Sequence, residues 1–134
     1  MYSITKKSFA SSSKKYKGRI LLVDDEKDIA QSFALALEKD GFIVDMYNDP
    51  LIALRDFKVD LYDLVLLDIK LPYMDGFELF DKIRQMDRRV KVCFISGYRM
   101  NFLALREQGL QADCFIPKPI GLRDLVGRIN AELE

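Results

Sequence analysis

Residues 20–26 read Ile-Leu-Leu-Val-Asp-Asp-Glu: four apolar side chains followed by three consecutive acids. The apolar half has the length and composition of a buried strand. The acidic half is costly in such a place, because carboxylates that close repel one another and raise each other's pKa unless a cation joins them. A strand that delivers acids to one end of a sheet bears on fold and chemistry together.

The same rhythm continues along the chain. RILLV (19–23), FIVDMY (42–47), DLVLL (63–67), VKVCFI (90–95) and ADCFI (112–116) each fit a strand in length. Three of them are nearly continuous in Val, Ile and Leu, as in parallel strands covered on both faces, whereas FIVDMY alternates in the manner of an edge strand. Between them lie helical patterns. Residues 26–40 place Ile29, Phe33 and Leu37 on one face and stop at Gly41. Asp49-Pro50 is an N-cap followed by proline at the first helical position, opening a helix to about Lys58. Residues 76–86 carry Phe77, Phe80 and Ile83, a weaker segment spans 99–108 before Gly109, and 121–133 presents Leu122, Leu125, Val126, Ile129 and Leu133. Five strands alternating with five helices predict a doubly wound α/β sheet. Such sheets bind ligands at the carboxyl ends of their strands.

The 134 residues, 49% apolar and 31% charged, have the balance of one soluble domain. No apolar run approaches membrane-spanning length, and the N-terminus lacks the apolar core of a secretory signal, so the expected location is cytoplasmic. The 21 basic and 21 acidic residues are unevenly placed. Lys6, Lys7, Lys14, Lys15, Lys17 and Arg19 stand in the first nineteen residues with no acid among them. Residues 1–18 read as a basic, Ser/Lys-rich flexible tail and 19–134 as the folded domain. That domain is net acidic, which argues against broad nucleic-acid binding. Histidine is absent, which removes zinc-type sites, Ser-His-Asp and Cys-His catalysis, and a phosphohistidine on the chain itself. Cys93 and Cys114, both in apolar stretches, read as small buried hydrophobes rather than as a redox pair.

The strand ends hold the remaining chemistry. The first strand ends in Asp24-Asp25-Glu26, and the third runs into Asp68 and then Ile-Lys-Leu-Pro-Tyr-Met-Asp-Gly. The fourth ends at Ser96-Gly97 and the fifth leads through Ile116-Pro117 to Lys118-Pro119. Singly, these residues have ordinary readings: Asp24 and Glu26 complement a helix start, Ser96 satisfies a turn, and Lys118 is a surface lysine. Together they place acids, a hydroxyl and an ammonium on one edge of one sheet. In this ordered set the sequence resembles the receiver domain of two-component response regulators, over about residues 19–133.

The resemblance implies a flavodoxin-like (βα)5 fold with strand order 2-1-3-4-5. It implies that Asp68 is the phosphoacceptor, a carboxylate nucleophile forming an acyl phosphate. Asp25, Asp68 and the backbone carbonyl of Lys70 would bind Mg²⁺, or another hard divalent cation such as Mn²⁺, with Asp24 acting largely through bound water. Lys118 would pair with phosphoryl oxygen, Ser96 would donate to another, and a cis Lys118-Pro119 bond is expected. Ser96 and Phe115 occupy the switch positions, and helix four, strand five and helix five (about 99–129) would form the face used for homodimerisation or partner binding. The implied partners are a histidine kinase or phosphotransfer protein and a downstream protein; the chain reads as a stand-alone receiver and not as an enzyme.

Departures from the pattern are Ser96 in place of threonine, Gly97 in place of alanine, and Leu110-Gln111 lengthening the stretch after helix four. Lys70 and Tyr98 flank the site, and neither orients water as a carboxylate or amide would, which predicts slow self-dephosphorylation. Three rivals remain. A phosphorylation-independent adaptor would not need the complete acid-lysine set. An Asp-nucleophile phosphohydrolase needs a carboxylate where Lys70 stands. A flavodoxin-like mononucleotide binder needs a phosphate loop where the densely acidic VDDEKD stands.

Overall fold

The computed structural model describes residues 16–97, 102–107, 109 and 111–134. Most of the basic tail, Tyr98, the first part of the segment expected to form helix four, and Leu110 lie outside the described residues, as do the side chains of Phe102, Ala104 and Leu105.

The elements alternate along the chain. They are β1 (Gly18–Val23), α1 (Lys27–Lys39), β2 (Phe42–Tyr47), α2 (Pro50–Asp56), β3 (Leu64–Asp68), α3 (Gly76–Met86), β4 (Lys91–Ser96), α4 (Phe102–Glu107), β5 (Cys114–Pro117) and α5 (Leu122–Leu133). The five strands form one sheet in the order β2-β1-β3-β4-β5, parallel throughout. FIVDMY is indeed at an edge. Among the described residues no helix is long and apolar enough to cross a membrane.

Strand side chains alternate between the two faces, and that period divides the core. Leu21, Val23, Val65, Leu67, Val92 and Phe94 turn to one side, where Ala53 of α2 and Leu79, Phe80 and Ile83 of α3 cover them. Ile20, Leu22, Leu64, Leu66, Cys93 and Ile95 turn to the other, under Phe33 and Leu37 of α1 and Leu125 and Ile129 of α5. With both faces covered, β3 is buried along its whole length, so its continuous apolar run is what the position demands.

Local signals set the helix ends. Asp49 caps α2 by accepting from the Leu51 amide at 2.8 Å, and Asp75 caps α3 by accepting from the Glu78 amide at 2.9 Å. Lys17, just before β1, donates its amide to the Gly41 carbonyl at 2.7 Å, and its ammonium reaches Asp40 at 2.8 Å and Asn130 of α5 at 3.2 Å. The start of the domain is thereby tied to its last helix.

The cysteines depart from the sequence reading. Both are buried, as expected, but they are bonded to each other as a disulfide. The register of β4 and β5 sets Cys93 directly opposite Cys114, a proximity that a separation of 21 residues does not announce in sequence.

Two glycines lead to opposite expectations. A Cβ on Gly76 would fall on the Asp68 carbonyl oxygen and lie 2.7 Å from the Ile69 Cα, so no side chain fits between α3 and the end of β3. Gly127 lies on the exposed side of α5 with open space around it. In urea denaturation, Gly76→Ala should destabilise the domain by about 2 kcal/mol or more through overpacking. Gly127→Ala should stabilise it by about 1 kcal/mol through helix propensity.

Candidate functional site

The carboxyl ends of β1 and β3 lie side by side at the point where the strand order reverses, the place where open α/β sheets leave a crevice. Asp24 follows β1 directly and is held by its backbone. Its amide donates to the Tyr47 carbonyl at 3.0 Å and its carbonyl accepts from the Asn48 amide group at 2.8 Å. One carboxylate oxygen accepts from the Glu26 amide at 3.0 Å. Asp24 is wholly inaccessible to solvent. Asp68 is the last residue of β3, inside the ladder opposite Ile95, and its carboxylate accepts from the Lys70 amide at 3.2 Å. Ser96 is the buried last residue of β4.

Lys118 completes the cluster from the far side. Its amide donates to the Ser96 carbonyl at 2.8 Å, and the peptide bond to Pro119 is cis. The ammonium lies 2.7 Å from Asp24, 3.0 Å from Glu26 and 3.2 Å from Asp68. Only 8% of its side chain is exposed, so the surface-lysine reading fails. The helix-start reading of Glu26 holds for its position but leaves out its side chain's partner. Glu26 is the N-cap residue of α1, but its side chain makes no capping hydrogen bond and turns instead to Lys118. Nothing local in the sequence signals this, because the two residues are 92 apart.

Carboxylate oxygens of Asp24, Asp25 and Asp68 all lie within 4.8 Å of one another. A cavity of about 290 Å³ opens beside them, lined by Asp25, Glu26, Asp68, Lys70, Ser96 and Gly97. Gly97 borders this space without a side chain of its own, and a Cβ there would make ordinary contact with the Lys118 Cβ at 3.8 Å. The donor set is all oxygen and strongly anionic, which suits a hard divalent cation rather than zinc. Burial and the neighbouring Asp24 charge push the Asp68 carboxyl up to about 6, although Lys118 pulls the other way. Burial alone would lower Lys118; its hydrogen bonds to Asp24 and Glu26 outweigh that and lift it above the ordinary lysine value.

Phe115 stands apart from the acids. Its ring is buried in the core on the α2–α3 side, stacked on Phe94 at 5.8 Å between centroids, with the Arg106 guanidinium of α4 5.1 Å from its centroid. Its carbonyl accepts from Arg128 of α5 at 2.9 Å. The ring therefore touches α4 through Arg106 while its backbone touches α5.

A five-stranded parallel sheet with an acid pair after β1, an aspartate ending β3 and a lysine after β5 defines a class of carboxylate-centred signalling domain. Residues 20–130 match the family model for the response regulator receiver domain, and the chain belongs to that family, whose members are signalling domains of two-component systems. It is 34% identical over 117 residues to the transcriptional regulatory protein TctD of Salmonella typhimurium, covering 86% of this chain and 51% of TctD. It is 36% identical over 117 residues to the transcriptional regulatory protein PrrA of Mycobacterium tuberculosis, with 86% and 49% covered. The chain thus spans about half the length of these relatives. The response regulator receiver protein CpdR of Brucella abortus is 33% identical over 115 residues, 86% of this chain and 96% of CpdR. Among solved structures, the non-phosphorylated HemR receiver domain from Leptospira biflexa superimposes with a TM-score of 0.81 at 30% identity, covering 88% of this chain and 95% of that one. Receiver domains generally bind Mg²⁺ at the acidic pocket, and the Asp24–Asp25–Asp68 cluster offers the corresponding donors.

The cluster's dependence on its one lysine can be measured without any ligand. In chelator, Lys118→Met should cost about 3–5 kcal/mol in urea denaturation, because it strands buried carboxylates without their counter-charge. Adding Asp68→Asn to that variant should recover part of the loss.

Proposed function

We propose that this chain is a cytoplasmic, phosphorylation-dependent switch that takes a phosphoryl group onto Asp68 from the phosphohistidine of a histidine kinase or phosphotransfer protein. One observation carries the reading: the Asp68 carboxylate is buried at a strand end, 3.2 Å from the Lys118 ammonium and within 4.8 Å of the Asp24 and Asp25 oxygens. The Lys70 amide bond at 3.2 Å is an ordinary Asx-turn contact, but a turn does not call for burying the carboxylate beside other acids and one ammonium.

In the transfer, an Asp68 carboxylate oxygen attacks phosphorus, an O–P bond forms, and the P–N bond breaks with its electron pair leaving to the donor imidazole. A divalent cation, Mg²⁺ or Mn²⁺, held by Asp25, Asp68 and the Lys70 carbonyl with Asp24 behind, would neutralise the charge gathering on the phosphoryl oxygens. Lys118 exchanges an aspartate oxygen for a phosphoryl oxygen. Ser96, lining the same cavity, donates its hydroxyl to another. The change is passed to a downstream protein or a second copy through the face formed by α4, β5 and α5, where Phe115 links the core to Arg106 and Arg128.

Acetyl phosphate labelling followed by mass spectrometry tests this directly. Wild type should gain one phosphoryl group and Asp68→Asn none; equal labelling of the two removes Asp68 as acceptor and returns the adaptor reading. Chelation of divalent cations should slow labelling by about a hundredfold or more. The acyl phosphate, flanked by Lys70, should persist for minutes or longer, and its loss within seconds would overturn slow self-dephosphorylation.

A further inference from the structure

The Cys93–Cys114 bond takes no part in the phosphoryl chemistry, yet its position bears on the output face. It joins directly opposed residues of β4 and β5, with Cα atoms 4.5 Å apart. The covalent loop that it closes contains Ile95, Ser96 and the whole of α4, and Phe115 is the next residue beyond it. Both expected switch residues thus sit on the loop or against its knot. α4 has six residues, too few for a helix to hold by its own hydrogen bonds. Its place depends on tertiary contacts and on this tether.

The bond lies below the surface, beside a cavity. Cys93 is fully buried and Cys114 is 3% exposed, but Cys114 lines a cavity of about 360 Å³ with Leu103 and Arg106 of α4 and Arg128 and Glu132 of α5. The Glu132 carboxylate lies within 4.8 Å of both sulfurs; the rest of the layer around them is apolar, with Ile95, Ile116, Leu125 and Ile129. Two thiols occupy such a layer without charge or unmet polar demand, so both oxidation states are compatible with the fold.

We propose that Cys93 and Cys114 form a reversible redox tether that governs how readily α4 and β5 open and so the readiness of the α4–β5–α5 face. The reductant is a dithiol, small or proteinaceous. When β5 opens locally, the reductant's thiolate attacks the Cys114 Sγ, the S–S bond breaks, and Cys93 leaves with the bonding pair and takes up a proton. The second thiol of the reductant then attacks the mixed disulfide, releasing Cys114 as a thiol and leaving the reductant as a disulfide. Exchange with an oxidised disulfide in the reverse direction restores the bond. In a reducing compartment, a disulfide of this kind acts as a sensor rather than a permanent staple. The link to signalling rests on the phosphoryl reading above; the tether itself does not.

The test compares wild-type protein equilibrated with oxidised glutathione and with dithiothreitol. Alkylation under denaturing conditions should find no reactive thiol in the first state and two in the second. Amide hydrogen exchange at Phe115, Ile116 and α4 should be on the order of tenfold or more faster in the reduced state, with smaller changes in β1 and α1. Cys93→Ala/Cys114→Ala should behave as the reduced protein and ignore dithiothreitol; should it not fold, the wild-type comparison decides alone. Two reactive thiols persisting under oxidant, or identical exchange profiles, overturn the tether. Acetyl phosphate labelling in both states separates the two readings. Label in both with redox-independent exchange removes the tether alone. Redox-dependent exchange with label in neither supports the tether and removes the phosphoryl reading.

Discussion

The Lys118 ammonium, held among Asp24, Glu26 and Asp68, is the interaction on which the functional end of the molecule depends. Two of those carboxylates are almost completely withdrawn from water, and charges so placed are tolerated only when paired. The sheet order explains how the pairing is reached. β1 and β3 are neighbours, which puts Asp24 beside Asp68, but β5 is separated from β3 by β4. A lysine on β5 must therefore pass over the end of β4 to meet the acids. Small residues at that end, Ser96 and Gly97, give it passage, and the Lys118 amide to Ser96 carbonyl bond fixes where the crossing starts.

The supporting layers are specialised. On the α1–α5 side the layer is mainly aliphatic, centred on Ile20, Leu22, Leu64 and Leu66, with Phe33, Phe42 and the disulfide among them. On the α2–α3 side Phe94 lies against Phe77 at 5.3 Å, Phe80 at 5.4 Å and Phe115 at 5.8 Å. Aromatic rings present broad contact surfaces, so a change in one ring's place is felt by those around it. The chain from β4 through Phe94 and Phe115 to Arg106 is thus a continuous packed route between the site's own strand and α4.

Sequence carried the fold almost completely, for a physical reason. Alternating strand and helix periods are local properties, and a parallel sheet buried on both faces leaves continuous apolar runs that few other structures require. The strand ends were legible too, because an acid at the end of LVLL has no local purpose. What escaped was everything made by contact between distant segments. Glu26 looked like a helix-start residue until β5 brought Lys118 to it. Cys93 and Cys114 looked like two separate small hydrophobes until the β4–β5 register set them opposite each other. Lys118 as a surface lysine was a fair reading of one residue and a wrong one of the assembled edge.

The surplus of carboxylates over ammonium at this edge also explains why a resting arrangement here is poised rather than settled. Lys118 serves Asp24, Glu26 and Asp68 at once, and burial and Asp24 push the Asp68 carboxyl upward. A phosphoryl group arriving on Asp68 would add negative charge where it is already in excess, and Lys118 would have to redistribute its bonds. Lys118 stands three residues beyond Phe115 on the same strand and extension. A demand placed on its ammonium is therefore a pull on β5, the strand that also meets Phe94 through Phe115, α5 through Arg128 and β4 through the disulfide. Charge imbalance at the sheet edge and the packing of Phe115 thereby become two ends of one short segment.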